Sequence, residues 1–245
     1  MMIFQLSTHY LPKISLKIEF LCRGIEQSIN ETQTEIHHFA LLHVIEMMKL
    51  IEKPELKSRF LKEFIKIEHL FNKSSVNISN AVLLKLHDQI QRLSHHTDKF
   101  GEILFQDIFL QSIRVYQGQY NSELEFDSPQ LLFWLYQSAK KRQAQLMDWL
   151  DQLNHINQTV RFYLALLRDS APFNAIEINH GFYQQAIPDK KTCDLVIVRL
   201  ARHFNLIPKI QIGHHGINIR FCDALTMKEL NNTYAQFELA LCQLV

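Results

Sequence analysis

The sequence predicts an α+β protein that is mainly α, with a helical bundle packed on a small C-terminal antiparallel β-sheet. Up to residue 172, apolar residues recur at spacings of three and four, which is the period of an α-helix. After residue 173, apolar and polar residues alternate as in half-buried strands. Only 6 Gly and 6 Pro occur in 245 residues, so long helices with short connections are favoured. We therefore expect an α-helical domain over residues 1–172 and a β-strand domain over residues 173–245.

Composition and charge argue against several classes of protein. The chain is 47% hydrophobic, enough for a substantial core, and its net charge of +1 does not suit a general nucleic-acid binder. No run of 18 apolar residues occurs, and Lys13 and Lys17 interrupt the N-terminal stretch before a signal peptide could form. We expect a cytoplasmic protein without membrane insertion, in which the four cysteines stay as thiols.

The N-terminal third begins with a short apolar segment and two helical stripes. Residues 2–7 could form a strand that joins the C-terminal sheet. From Leu11 to Ile25, apolar residues step by three and four, and Pro12 can occupy the first turn of that helix. The second helix, at about residues 35–52, is apolar on several faces. It is therefore either central in the bundle or covered on one side by a second subunit.

Three further helices are predicted before residue 116. The third begins at Pro54, and the fourth begins at about Val82, after a polar connection over residues 72–80 that is rich in capping residues. The fifth is predicted from Lys99 to Val115. Turn formers then predict a loop over residues 116–125.

The stretch from residue 126 to 172 has the clearest helix boundaries. Asp127 or Ser128 can cap a helix whose first position is Pro129, where the missing N–H costs little. Two more apolar stripes continue to residue 167, and Pro172 ends the last helix. Four aromatic residues lie beside leucines at helical spacing, so we expect them in the core: Phe133, Trp134, Tyr136 and Trp149.

Beyond residue 173, three segments have the pattern of strands. In residues 195–200, Leu195, Ile197 and Arg199 alternate in position with Val196, Val198 and Leu200, and residues 208–221, PKIQIGHHGINIRF, are typical of a β-hairpin whose turn spans residues 213–216. A last strand is expected from about Tyr234 to Cys242.

No pattern indicates catalysis or a bound metal. Adjacent histidines point in different directions, so such a pair cannot present two ligands to one metal. The sequence also lacks HExxH, a phosphate loop, a dinucleotide glycine fingerprint and a GxSxG elbow. We therefore predict no enzyme, no catalytic residues, no metal and no cofactor. The pairs in question are His37/His38, His95/His96 and His214/His215.

Four stretches, in this order, resemble a known family. They are LKIEFL at residues 16–21, FD.P.L..WL at 126–135, LLRDSAPF at 166–173 and GFYQ at 181–184. Together they resemble the cell division protein ZapD family, whose bacterial members bind the division tubulin homologue FtsZ. The resemblance implies a non-enzymatic homodimer at the mid-cell division site, which binds the C-terminal tail of FtsZ and cross-links protofilaments to stabilise the ring during septation. A two-fold dimer supplies the two equivalent sites that a cross-linker needs.

The resemblance also implies a basic surface that holds an acidic, flexible tail. The candidate tail-binding residues are Lys17, Arg23, Arg114, Lys140, Lys141, Arg142, Arg168 and Arg220. Lys17 stands in LKIEFL where the family often has Arg, whereas Ile108 stands where a basic residue is expected. The cations at 140–142 begin a helix, where such a run is usually solvated; because a helix N-terminus prefers anions, the alternative is that they serve a partner.

Three alternatives remain open from the residues alone, one of which is an enzyme built from His residues that folding brings together. Arg168 and Arg220 could be structural and pair with Asp169 or Glu238. The whole chain could also be a helical regulatory module of the same fold that binds another acidic peptide or a nucleic acid.

Overall fold

A computed structural model describes residues 1–73, 79–95, 99–120, 128–186, 193–213 and 216–244. Within these ranges it has eight α-helices and seven strands, so the predicted α+β class with mainly helical content is confirmed. The helices are α1 (Tyr10–Ser28), α2 (Thr34–Ile51), α3 (Glu55–Lys73), α4 (Asn80–His95), α5 (Ile108–Tyr120), α6 (Pro129–Leu135), α7 (Ala139–Gln152) and α8 (Asn154–Asp169). The strands are β1 (Met2–Ser7), β2 (Asn174–Ile178), β3 (Phe182–Ala186), β4 (Leu195–Leu200), β5 (Leu206–Gly213), β6 (Gly216–Asp223) and β7 (Ala235–Cys242).

The chain divides into two compact units. The helical unit is Ile14–Phe162, and the sheet unit combines Met1–Lys13 with Tyr163–Val245. The start of α1 and the end of α8 are therefore counted with the sheet unit. The predicted domain boundary at residue 172 follows the change in secondary structure instead, and it stays a prediction.

Helix α2 is central in the helical unit. It packs against α5, α6 and α7 of the same chain. Its buried residues lie on several faces, as the sequence predicted, and they include Leu41, Ile45 and Met48. Of the two explanations for its apolar circumference, the structure supports a central position in the bundle. Phe39 on the same helix is 53% exposed.

The predicted fifth helix is wrong in its extent. Gly101 adopts a left-handed conformation with φ of 60°, and a short 3-10 helix follows over Glu102–Gln106. Asp107 is extended, and its Oδ1 accepts a hydrogen bond from the N–H of Leu110, which starts α5 as a separate helix. Helix α5 then continues to Tyr120, so the predicted loop is wrong for residues 116–120, and residues 121–125 lie outside the described ranges.

The strands of the sheet unit form two antiparallel sheets, where the sequence predicted one. The first has the order β1-β4-β7-β2 and the second the order β3-β6-β5. Inward-facing side chains from both sheets share one core, in which the rings of Phe221 on β6 and Phe237 on β7 lie 5.2 Å apart. The existence of β2 and β3 as separate strands was not predicted.

The predicted strands and the hairpin are present. Residues 2–7 form β1 and pair with β4, and the last predicted strand corresponds to β7. Strands β5 and β6 pair antiparallel, with Gly213 opposite Gly216. The turn residues His214 and His215 lie outside the described part of the chain, as do the candidate cap Asp127 and the histidine at position 96.

Candidate functional site

The candidate site is built on α6, a helix of two turns with a defined start. Ser128 caps it, since its Oγ accepts a hydrogen bond from the N–H of Leu131 at 3.3 Å, and Pro129 occupies the first position as predicted. Leu131, Trp134 and Leu135 are buried. Helix α6 is only seven residues long, so it can bury only some of its apolar side chains against the bundle.

Phe133 and Tyr136 are exposed, so the prediction that all four aromatic residues lie in the core is wrong for these two. Their exposed fractions are 72% and 83%, whereas Trp134 and Trp149 are buried. The two residues are three positions apart, which puts them on one face of the helical turn, away from the core. The apolar and aromatic run LLFWLY at residues 131–136 could have signalled this, since a helix at the bundle surface can bury only one side.

An aromatic stack of Phe109, Trp134 and Trp149 lies next to this exposed face. The ring centroids of Phe109 and Trp134 are 5.9 Å apart, and those of Phe109 and Trp149 are also 5.9 Å apart. Both indoles are held by hydrogen bonds: Trp134 Nε1 donates to Gln145 Oε1 at 2.8 Å, and Trp149 Nε1 donates to Asp107 Oδ2 at 2.9 Å. The stack is therefore fixed at both ends.

A shallow groove of about 420 Å³ opens above the stack. Its walls are mostly apolar, and three glutamine side chains supply polar groups. The lining residues are Phe109, Pro129, Gln130, Phe133, Trp134, Gln137 and Gln145. Ile108, beside Phe109, is 86% exposed. A groove of this kind suits an apolar group of a ligand.

Two exposed lysines begin the next helix. Lys140 and Lys141 lie in the first turn of α7, and in the described part of the chain neither has an ion-pair partner. Lys141 is one helical turn before Gln145, so both lie on the same face of α7 and Lys141 stands beside the groove. Asp148 on the same face accepts a hydrogen bond from Gln152 at 2.9 Å. We call the groove together with Lys140 and Lys141 the α6–α7 corner.

The basic run at residues 140–142 is not exposed as a whole, because Arg142 is buried. Its Nη1 donates to the carbonyl oxygens of Leu135, at 2.8 Å, and Gln137, and its Nη2 donates to that of Thr32 at 3.1 Å. Its Nε donates to His37 Nδ1 at 3.0 Å. Burial, and then the nearby Arg142 cation, lower the pKa of His37. Arg142 therefore joins α6, α7 and the N-terminal end of α2.

The other candidates in the helical unit are already paired with acids. Lys17 contacts Glu46, Arg23 Nη2 lies 3.8 Å from Glu19 Oε2, and Arg114 Nη2 lies 2.9 Å from Glu52 Oε2. Their carboxylate partners reduce the charge that they offer to an acidic ligand. Each of these three cations has a different acidic partner.

The two candidates in the sheet unit also have partners. Arg168 Nε donates to Gln5 Oε1 at 3.0 Å. Arg220 Nη1 donates to Glu229 Oε2 at 2.8 Å, and Lys209 Nζ contacts the same carboxylate. Hydrogen bonds from Arg220 and then Lys209 lower the pKa of Glu229. The suggested partner Glu238 instead faces Arg199, at 3.5 Å, so Arg220 pairs with a different acid from those predicted.

Two negative findings within the described residues bear on other functions. No group of three or more His, Cys, Asp or Glu side chains is placed there to hold a metal ion. Within the same residues, every helix is too short or too polar to cross a membrane.

Burial raises the pKa of the Cys22 thiol to about 12 and those of Cys193 and Cys242 to about 11, so these thiols are weak nucleophiles at neutral pH.

Comparisons with known proteins agree with the sequence motifs. Curated relatives that carry the name Cell division protein ZapD match most of the chain. The relative from Coxiella burnetii (strain RSA 331 / Henzerling II) is 28% identical over 215 residues, 85% of this chain and 83% of its own length. The Chromobacterium violaceum relative is 26% identical over 220 residues, 87% of each chain, and the Photobacterium profundum relative is 28% identical over 239 residues, 94% of each chain.

The match to a family model covers more than half of the chain. The model of the ZapD cell division proteins matches residues 16–220, which include LKIEFL, the stretch around α6 and the α8–β2 connection. The chain is thus a cell division factor and belongs to the ZapD family of cell division proteins.

Proposed function

We propose that the chain is a non-enzymatic, dimeric adaptor of the division ring that binds the acidic C-terminal tail of FtsZ at the α6–α7 corner. By holding one tail on each protomer it would cross-link protofilaments at mid-cell. Family membership supports the role in division. One observation carries the binding site: the corner combines an exposed aromatic groove with two lysines that have no acidic partner in the described residues.

The corner offers both kinds of contact that such a tail requires. An apolar side chain of the tail that leaves water for the groove contributes about 1.5–3 kcal/mol. Exposed charge pairs with Lys140 and Lys141 contribute up to about 1 kcal/mol each and speed association. A flexible tail loses conformational freedom when it binds, so single contacts are weak and many tails along a filament are needed for firm attachment.

Lys140 and Lys141 differ from the ion-paired candidates in the helical unit because they have no acidic partner among the described residues. An acidic tail that approaches Lys17 or Arg114 competes with a carboxylate of the same chain, Glu46 or Glu52. A tail that approaches Lys141 meets no such competitor among the described residues. The first turn of α7 also disfavours these cations in the free protein, so an anionic ligand relieves an unfavourable interaction with the helix dipole.

The test is the affinity of a labelled FtsZ tail peptide, measured by fluorescence anisotropy. Reversing both charges in K140E/K141E should weaken binding by about 5-fold to 30-fold, since two pairs of up to about 1 kcal/mol are lost. K62E/K85E makes the same change of net charge at two exposed lysines of α3 and α4 and serves as the control. Equal weakening in both variants would mean that net charge, and not the corner, decides the affinity.

Co-sedimentation with FtsZ polymers tests the adaptor role separately. We expect the protein to pellet with full-length polymers and to stay in solution with polymers that lack the tail. Pelleting that does not depend on the tail would favour the alternative of a regulatory module with a different partner.

A further inference from the structure

The turn that follows β6 presents two large apolar side chains to water. Leu225 is 88% exposed and Met227 is 61% exposed. The turn itself is well defined, because Asp223 Oδ1 accepts hydrogen bonds from the N–H groups of Leu225, at 3.1 Å, and Thr226, at 2.7 Å. The N–H of Asp223 donates to the carbonyl oxygen of Lys228 at 3.0 Å and closes the turn. The two apolar side chains therefore project from a fixed backbone.

The backbone of Met227 adopts a conformation that suits glycine better than methionine. Its φ is 58°, in the left-handed region, which is unfavourable for a residue with a Cβ atom. The side chain of Met227 is exposed, so burial in the core of the sheet unit does not offset this cost. A strained residue with an exposed apolar side chain indicates a role in contacts outside the chain.

A second turn lies beside the first and adds an aromatic residue. Asn205 follows the short 3-10 helix Arg202–Phe204, and its carbonyl oxygen accepts a hydrogen bond from the N–H of Ala224 at 3.0 Å. The ring centroid of Phe204 lies 6.3 Å from that of Tyr234, which is 49% exposed. Tyrosine is enriched where proteins meet the boundary between water and lipid, because its ring is apolar and its hydroxyl is polar. The two turns thus lie together at one end of the sheet unit.

The charges of these two turns favour an anionic partner. Arg202 and Lys228 are exposed, and neither pairs with an acid among the residues that the structure describes. The acids of the two turns are already bonded: Asp223 accepts from groups of its own turn, and Glu229 accepts from two cations of β5 and β6. Positive charge therefore remains available beside the projecting apolar side chains.

We propose that this end of the sheet unit docks on the surface of an anionic lipid bilayer. We call it the β6–β7 tip, and it comprises Arg202, Leu225, Met227, Lys228 and Tyr234. Leu225 and Met227 enter the boundary between the headgroups and the acyl chains, and Tyr234 lies at headgroup level. Arg202 and Lys228 contact lipid phosphates. The contact is peripheral, and no segment of the chain crosses the bilayer.

The shape of the tip favours a bilayer over a folded protein as the partner. Side chains that project from a tight turn need a matching pocket on a folded partner, because protein interfaces are closely complementary in shape. A fluid bilayer accommodates a projecting side chain without such a pocket. The free cations add attraction to anionic headgroups, which acts over about 8 Å at physiological salt.

The experiment is flotation of the full chain with lipid vesicles on a density gradient. The chain should float with vesicles of equal parts phosphatidylglycerol and phosphatidylcholine, and it should stay at the bottom with vesicles of phosphatidylcholine alone. L225S/M227S should lower the partition coefficient by about 10-fold or more, because the apolar contact is lost. R202E/K228E should lower it by about 10-fold or more, because two attractive charges become repulsive.

Two control variants and one further variant separate docking from folding and from net charge. L84S changes an exposed leucine of α4, and K62E/K85E reverses two exposed lysines of the helical unit. Both controls should float like the wild type. M227G removes the side chain but suits the left-handed backbone, so it should weaken flotation without lowering the melting temperature.

Several outcomes would overturn the proposal. They are equal flotation with both kinds of vesicle, flotation with neither, and an equal loss in the controls. A loss in R202E/K228E with none in L225S/M227S would also overturn it, because attraction by charge alone does not need the apolar tip. Tail-peptide affinity of L225S/M227S should equal that of the wild type, so the tip and the α6–α7 corner are tested independently.

Discussion

Arg142 donates its Nε–H to Nδ1 of His37 at 3.0 Å, with both side chains buried in the helical unit. A cation can be buried there because its other N–H groups donate to three backbone carbonyl oxygens. Two of these carbonyls, of Leu135 and Gln137, lie where α6 passes into α7. The buried pair therefore fixes the turn that holds the exposed face of α6 beside Lys141.

Arg142→Ala should lower the free energy of unfolding by about 3–5 kcal/mol, because it leaves buried carbonyl oxygens without donors. Urea unfolding followed by circular dichroism measures the change. Lys141→Ala, at the neighbouring exposed position, is the control and should stay within about 0.5 kcal/mol of the wild type. A similar small effect in both variants would show that the Arg142 contacts are dispensable.

Stability should fall as the pH drops below about 6.5. Burial lowers the pKa of His37, with Arg142 as the next cause, and burial lowers the pKa of His43 from its ordinary value of 6.5. Below pH 6.5 the unfolded chain therefore binds more protons than the folded chain. The contribution of the two neutral histidines to the free energy of unfolding is present above pH 6.5 and is lost as the pH falls below it. The slope is up to about 1.4 kcal/mol per pH unit for each histidine, until the folded pKa is reached.

Urea unfolding between about pH 5.5 and pH 8 measures this slope, in a range where carboxylates contribute little. A His43→Gln variant should have a smaller slope, because one of the two histidines no longer titrates. Stability that stays constant or rises on acidification would contradict the prediction.

Gly24→Ala should destabilise the helical unit, although alanine favours a helix by about 1 kcal/mol over glycine. The new Cβ would lie 2.2 Å from Nδ1 of the buried His43, and overpacking of this kind costs about 1–3 kcal/mol. The loss should be recovered in G24A/H43A, which removes the ring. Gly213→Ala is the control, since a Cβ atom added there would meet no heavy atom of the described residues within 4 Å. A more stable G24A would show that His43 moves freely.

Phe133→Ser should weaken tail-peptide binding by about 10-fold without changing the melting temperature by more than a few degrees. The ring lines the groove but is 72% exposed, so folding gains little from it. L84S, at a similarly exposed leucine of α4, should leave both quantities unchanged. Unaltered tail affinity in F133S would remove the groove from the proposed site.

Salt should weaken tail binding in the wild type more than in K140E/K141E. At about 1 M salt the screening length is about 3 Å, so the contribution of exposed charge pairs is largely lost. Affinity is compared at low and high salt for both proteins by anisotropy. The same salt dependence in both would place the charged contact elsewhere.

The α6–α7 corner illustrates why sequence reasoning found part of the site. The start of α6 was predicted, because Ser128 and Pro129 act on neighbouring backbone groups. The burial of Arg142 was not, because its partners Thr32 and His37 lie more than 100 residues earlier in the chain. In the sequence, Arg142 is indistinguishable from the exposed Lys140 and Lys141.

By itself, the sequence determined the fold class, most helix starts, the β5–β6 hairpin and the family, since these depend on local periodicity, caps, turns and short motifs. Tertiary structure decided the break before α5, where Asp107 both caps the new helix and accepts a hydrogen bond from Trp149. It also decided the division of the strands into two sheets, the exposure of Phe133 and the pairing of Arg220 with Glu229. Each of these depends on contacts between residues that are far apart in the chain, and local periodicity does not predict such contacts.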